Sequence, residues 1–310
     1  MKSKASMLLI IAASVALPIS VGLAQNQQSQ SQTPHYTATN LGTLGGTSGT
    51  AFGINDLGWA GGAANLTGDT SEHGVLWIAG SKIDVGTFGG PNSEMVFAPN
   101  DFGQAAGWAE TSLSDPLGED FCAFGTQLVC LPFVSQFGFK IKLPTLGGNN
   151  GQGVDINILG QVVGIAETAV HDPTCTAPQV LQSLPVTWQS GRIKAFPMLP
   201  GDRDGGAVAN NDKGQAVGNS GDCTNVAAHA VLWQNNRATN LGNLGGTMNN
   251  AAQDINNLGE VVGFSDVTGD TTSHAFLWRN GVISDLGTLP GDVSSSAEGI
   301  NNLGQVTGYS

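Results

Sequence analysis

Three histidines share one place in an internal pattern of the chain: His73, His229 and His274 each follow a glycine (Gly62, Gly218, Gly263) by 11 residues. Imidazole is a common metal ligand, but a shared ion needs its ligands to converge, and equivalent positions of successive repeats are held apart. Each is therefore expected to bond a loop carbonyl beside a strand. His171 and His35 have no partner at ligand spacing. Asp202 and Asp204, in GDRDGG, form the one calcium-like fragment. A calcium loop gathers more oxygens than this, and only Asp212 follows at a distance, so the fragment reads as an acidic turn with calcium as the lesser alternative. No other cofactor is expected.

Nucleophilic chemistry has no signature here. The chain lacks a G-x-S-x-G elbow, an H-E-x-x-H pair and a phosphate loop ending in Gly-Lys. The glycines of LGTLGG belong to repeated turns, and no helix follows them to offer its N-terminus to a dinucleotide.

The elements that position these residues come from a repeat. Asn, then Gly three residues on, then Gly four further, occurs six times, from Asn55, Asn100, Asn157, Asn211, Asn256 and Asn301, with spacings of 45, 57, 54, 45 and 45. Nine or ten residues before each Asn ends a second motif: LGTLGG from Leu41, VGTFGG from Val85, LPTLGG from Leu143, FPMLPG from Phe196, LGNLGG from Leu241 and LGTLPG from Leu286. A third motif, an apolar run ending in Trp, falls at Trp77, Trp188, Trp233 and Trp278, with Ser135 in its place in repeat two.

Four short strands per repeat follow. In repeat five, strand a is Ala252 to Asn256, strand b Glu260 to Ser265, strand c His274 to Trp278 and strand d Val282 to Leu286, with Asn280-Gly281 closing the c–d hairpin. The fold class is all-β. Four strands in about 45 residues is the scale of a propeller blade, which predicts a six-bladed β-propeller over residues 36–310. The last repeat stops after strand b, while Tyr36 to Gly42 aligns with a strand d that has no repeat of its own. The expected ring therefore has 23 strands and is closed by that N-terminal strand.

The sequence His274-Ala275-Phe276-Leu277-Trp278, followed by DLGTLPG and GINNLGQVTGYS, resembles the extracellular HAF repeat, named for its tripeptide. The resemblance spans all six units, with His73-Gly74 and His229-Ala230 as variants. It implies a secreted bacterial protein and supplies no catalytic residue.

Residues 1–24 read as a signal peptide: Lys2 and Lys4 precede an apolar run broken by Pro18, and Gly22 and Ala24 suit a cleavage site. Residues 25–35 read as a flexible leader rich in Gln and Ser. The expected location is extracellular or periplasmic, with no membrane span in the mature chain. After cleavage 24 acidic side chains face 9 basic ones. With no basic cluster to neutralise phosphates, nucleic acid is excluded as a partner.

The four cysteines allow three pairings. Cys122 and Cys130 lie in one insertion, and Cys175 and Cys223 in corresponding b-to-c loops of repeats three and four, which predicts Cys122–Cys130 and Cys175–Cys223. From the last Gly of strand b to strand c is 11 residues in repeats one, four and five, but 24 and 20 in repeats two and three. Both insertions therefore rise on one face, and a glycan or cell-envelope component is expected to contact Thr111 to Val134 or Ala169 to Leu184. Within them Asp115, Glu119, Asp120, His171 and Asp172 are the candidate ligand-facing groups. The expected function is a non-enzymatic binding scaffold. The alternative is a carbohydrate-active hydrolase or lyase with an axial carboxylate site, although Asp155, Asp254 and Glu298 in strand a repeat a theme.

Overall fold

The computed structural model describes residues 37–223 and 229–310. The expected signal peptide, the whole of the expected leader and Tyr36 lie outside them. The described chain has 22 strands and no helix. The first sheet comprises β1 (Gly45–Ile54), β2 (Ala60–Leu66), β3 (Glu72–Ile78) and β4 (Ser81–Asp84). The second comprises β5 (Gly89–Glu94), β6 (Gln104–Ser114), β7 (Leu128–Gln136) and β8 (Phe139–Lys142). The third holds β9 (Gly147–Ile156), β10 (Val162–His171), β11 (Leu181–Gln189) and β12 (Arg192–Ala195), and the fourth β13 (Asp204–Asn210), β14 (Ala216–Gly221), β15 (His229–Gln234) and β16 (Arg237–Asn240). The fifth is β17 (Gly245–Ile255), β18 (Val261–Val267), β19 (Ser273–Arg279) and β20 (Val282–Gly287), and the sixth only β21 (Ser296–Ile300) and β22 (Val306–Tyr309). Within every sheet the strands pair antiparallel in chain order.

The repeated Asn and Gly residues explain this regularity. The Asn256 side chain caps the β17–β18 turn, its Oδ1 accepting the N–H groups of Leu258 and Glu260 at 2.9 and 3.0 Å. Gly259 closes the turn at φ +83°, a conformation suited to glycine. Four residues on, Gly263 lies under a break in register between Ala252 and Asp254, where any Cβ would collide with the Ala251 carbonyl. Each N-x-x-G-x-x-x-G motif is thus a capped turn, followed in five of the six sheets by a bulge that only glycine fits; in the second sheet the pairing ends at Glu94 and Trp108, before Gly107.

The same Asn residues join sheet to sheet through Nδ2. Asn100 donates to the Asn157 carbonyl (3.0 Å), Asn157 to Asn211 (2.9 Å), Asn211 to Asn256 (2.9 Å) and Asn256 to Asn301 (3.0 Å), while Asn55 reaches the Pro99 carbonyl at 3.2 Å. Apolar clusters fill the space between neighbouring sheets. Trp188 packs with Ala106, Leu143 and Ile156 and donates its indole N–H to the Pro144 carbonyl at 2.8 Å; Trp233 does the same to Pro197. In the second sheet, where Ser135 replaces Trp, Phe133 is fully buried in the corresponding layer with Leu76 and Met95.

Two expectations are corrected. Strand a of repeat five begins at Gly245, seven residues before the expected Ala252, because the LGNLGG motif opens the strand at a φ +111° glycine. The expected closing strand is not found: Thr37 to Gly42 carry no strand, and the sixth sheet has two strands among the described residues. In the complete sheets a strand d pairs only with strand c, as β16 does with β15, and the sixth sheet offers no described strand c. Correspondingly, Phe52 and Ile54 of β1 are exposed, whereas β13, the equivalent first strand of the fourth sheet, is largely buried.

Candidate functional site

The two long insertions rise beside one another. The Cys122–Cys130 disulfide, Cα atoms 6.3 Å apart, ties the first insertion back to β7, and Cys175–Cys223, 4.5 Å apart, links loops of the third and fourth sheets. Both pairings are those expected from the repeat alignment.

Beneath the loops lies a set of buried acids. Glu119 Oε1 accepts the backbone N–H groups of Val180 (2.7 Å) and Leu181 (2.8 Å), and Gln179 Nε2 bridges Glu119 to Glu167 at 3.1 and 3.0 Å. Asp115 Oδ1 accepts from Leu117 and Glu119, and its Oδ2 from Asn150 Nδ2 at 2.9 Å. Asn150 also donates to Glu167 Oε2. The expectation that Asp115 and Glu119 face a ligand is therefore corrected: both are buried and fasten the insertion of the second sheet to the third. Burial, with Glu119 nearby, pushes the Glu167 carboxyl up to about 7. Sequence reasoning missed Glu167 and its counterpart Glu110, although each lies three residues after the last glycine of the repeated motif, where an acid in strand b is a readable signal.

Above these acids the loops enclose a cavity of about 570 Å³ that draws on the second, third and fourth sheets. Asp120 and Phe121 line it from the first insertion, Gln179 from the second, and Gln152, Asp204 and Asn219 from the strands. Among the described residues neither lysine nor arginine lines it. Asp204 Oδ1 accepts from Ser183 N–H (2.7 Å) and Oγ (3.1 Å), while its buried Oδ2 has no partner among the described residues. Burial, opposed by the Ser183 bond and reinforced by Asp172, raises this carboxyl to about 6. His171 and Asp172 line an adjoining recess of about 430 Å³ with Pro173 and Cys175.

The calcium-like fragment divides its carboxylates between different partners. Asp202 Oδ2 holds His229 Nδ1 at 3.0 Å and accepts from Ser220 Oγ, whereas Asp204 holds Ser183. Among the described residues one group of potential ligands lies close together, Cys175, Asp204 and Cys223, and its two sulfurs are bonded to each other. His73 and His274 pair with Asp84 and Asp285 within their own sheets, each at 2.9 Å, instead of with a loop carbonyl.

At the tight turns joining strands a and b, a second cavity of about 620 Å³ is lined by residues of all six sheets. Asp155 stands in its lining. Its Oδ2 accepts the Asn210 N–H at 2.9 Å, fastening the third sheet to the fourth as Asp254 and Ile300 fasten the fifth to the sixth at 2.8 Å. Glu298 accepts from Ser296 Oγ. No helix among the described residues is long and apolar enough to cross a membrane. Compared with known proteins, the chain matches no family model and no curated relative.

Proposed function

We propose that the six sheets are blades of a propeller of HAF-type repeats, set around the cavity at the a–b turns, and that the chain is a secreted scaffold binding a neutral glycan in the cleft above β9, β10 and β13. The propeller reading is supported by the Asn side chains joining successive sheets and by a central cavity to which every repeat contributes. Secretion is supported by two disulfides, which persist in oxidising compartments.

One observation carries the ligand class. The cleft combines amides (Gln152, Gln179, Asn219), carboxylates (Asp120, Asp204, Asp222) and one aromatic ring (Phe121), with no lysine or arginine among the described residues that line it. Amides and carboxylates together offer donors and acceptors for hydroxyl groups, and a ring offers an apolar face. An anionic polymer would meet uncompensated carboxylates there. The axial hydrolase or lyase reading rests on Asp155, whose two oxygens each hold a backbone N–H, of Ile156 and of Asn210; that arrangement suits fastening better than proton transfer.

An array of neutral and anionic oligosaccharides probed with the mature protein tests this. Neutral glycans should be retained, and Gln152→Ala and Asn219→Ala should each weaken binding about tenfold, the loss of one ligand hydrogen bond. Release of reducing ends would favour the enzyme reading, and unchanged affinity in both variants would move the site elsewhere.

A further inference from the structure

The a–b turns carry a second set of features that the fold does not require. Two residues after each repeated Asn stands a residue whose backbone N–H caps onto that Asn, as Leu159 does onto Asn157. In five sheets this residue is large and apolar, and Leu57, Phe102, Leu159, Leu258 and Leu303 are each between 53% and 83% exposed. The fourth sheet makes the same turn with Lys213. The turn therefore tolerates a polar side chain, and the five exposed apolar residues at these turns, of which Leu303 lines the cavity described below, are not explained by folding.

At these turns the cavity lining is rich in oxygen and, among the described residues, holds no lysine, arginine or histidine. Asp56, Asp101 and Asp212 occupy three of its turns. One residue before the repeated Asn, four sheets present Ile54, Ile156, Ile255 and Ile300, and the fourth sheet presents Asn210. Asn210 is 8% exposed; its Nδ2 donates to the Gln161 carbonyl at 2.9 Å, and its Oδ1 has no partner among the described residues. A buried acceptor without a donor is costly, and here it belongs to the cavity lining beside Asp155. Burial, with Asp254 and Asp212 adding repulsion, raises Asp155 to about 7.

We propose that this turn face is a second binding site, which takes an alkylammonium ligand: a cationic amine held by Asn210 Oδ1 and the surrounding carboxylates, on an apolar chain lying against the exposed Ile54 and Leu303 of the cavity lining. A bare divalent cation would gain nothing from Ile54 and Leu303, and a second copy of the chain would bring Asp56, Asp101 and Asp212 against their own like. The site is separate from the glycan cleft and does not depend on it.

Calorimetry on the mature protein at pH 8 with 1,8-diaminooctane, 1,8-octanediol and calcium chloride tests the proposal. The diamine should bind at least tenfold tighter than the diol, and millimolar calcium should not displace it. Asn210→Ile, which installs the residue used by four other repeats, should weaken the diamine about tenfold. Should that variant fail to fold, the exposed double variant Asp56→Asn, Asp101→Asn should still lose at least threefold. Equal binding of diamine and diol, displacement by calcium, no heat with the diamine, or unchanged affinity in every variant that folds would overturn it.

Discussion

Glu167 shows at the scale of one residue how this protein should respond to pH. It is fully buried, and burial first, then the proximity of Glu119, raises its carboxyl from 4.5 to about 7. Glu94 is raised to about 7 and Asp204 to about 6, burial being the main cause in each. A carboxyl raised in the folded state holds its proton where the unfolded chain has lost it. Stability contributed by these groups is therefore present near pH 4.5 and is lost as pH rises through about 7. Thermal melts should show a midpoint several degrees lower at pH 8 than at pH 5. Glu167→Gln should flatten that slope, since each pH unit over which one proton separates the two states is worth about 1.4 kcal/mol. A midpoint that climbs from pH 5 to pH 8 would contradict the assignment. None of this was legible from composition: Glu167 reads as one acid in an acidic chain until the insertion of the second sheet is seen to cover it.

Among the elements, the a–b turn is the unit that repeats best and also the one that holds neighbouring sheets together. Asn211 makes four side-chain bonds: Oδ1 accepts from Lys213 and Gln215, and Nδ2 donates to Gln215 Oε1 and to the Asn256 carbonyl of the next sheet. Asn301 makes the same local bonds on an exposed turn, with Nδ2 reaching only Gln305. Asn211→Ala should therefore cost about 2–4 kcal/mol, because it strands buried polar groups, and Asn301→Ala under about 1 kcal/mol; urea denaturation compares them, and equal losses would show that the link to the next sheet contributes nothing. The turn itself was legible, since Asn and Gly at fixed spacing have a mechanism. The donation to the next sheet was not, because a motif confined to one repeat carries no record of its neighbour. The histidines mislead for a related reason. The partners of His73 and His274, Asp84 and Asp285, lie 11 residues downstream in strand d, a distance that acquires meaning only once the c–d hairpin register is known.

At the scale of the whole molecule, six similar units stack so that each inner strand packs on the sheet before it, and such arrays derive their stability from neighbour interfaces. The first and sixth units each lack one. Phe52 and Ile54 of β1 are exposed, β22 is mostly exposed along its length, and the sixth sheet stops at two strands among the described residues. Counting repeats was enough to find six units, but the seam depends on which strand pairs with β22, and among the described residues β22 pairs only with β21. The seam should accordingly be where opening begins. In hydrogen exchange followed by mass spectrometry, the amides of β1 and of β21–β22 should exchange first. Those of β9–β10 and β13–β14, flanked by sheets on both sides and bridged by Cys175–Cys223, should exchange last, at rates set by global unfolding. Protection of β1 and β22 equal to that of β13 would instead mean that the ring is closed in solution. Since a closed ring removes free sheet edges, it should then also unfold in one step, with no partially open species at intermediate urea.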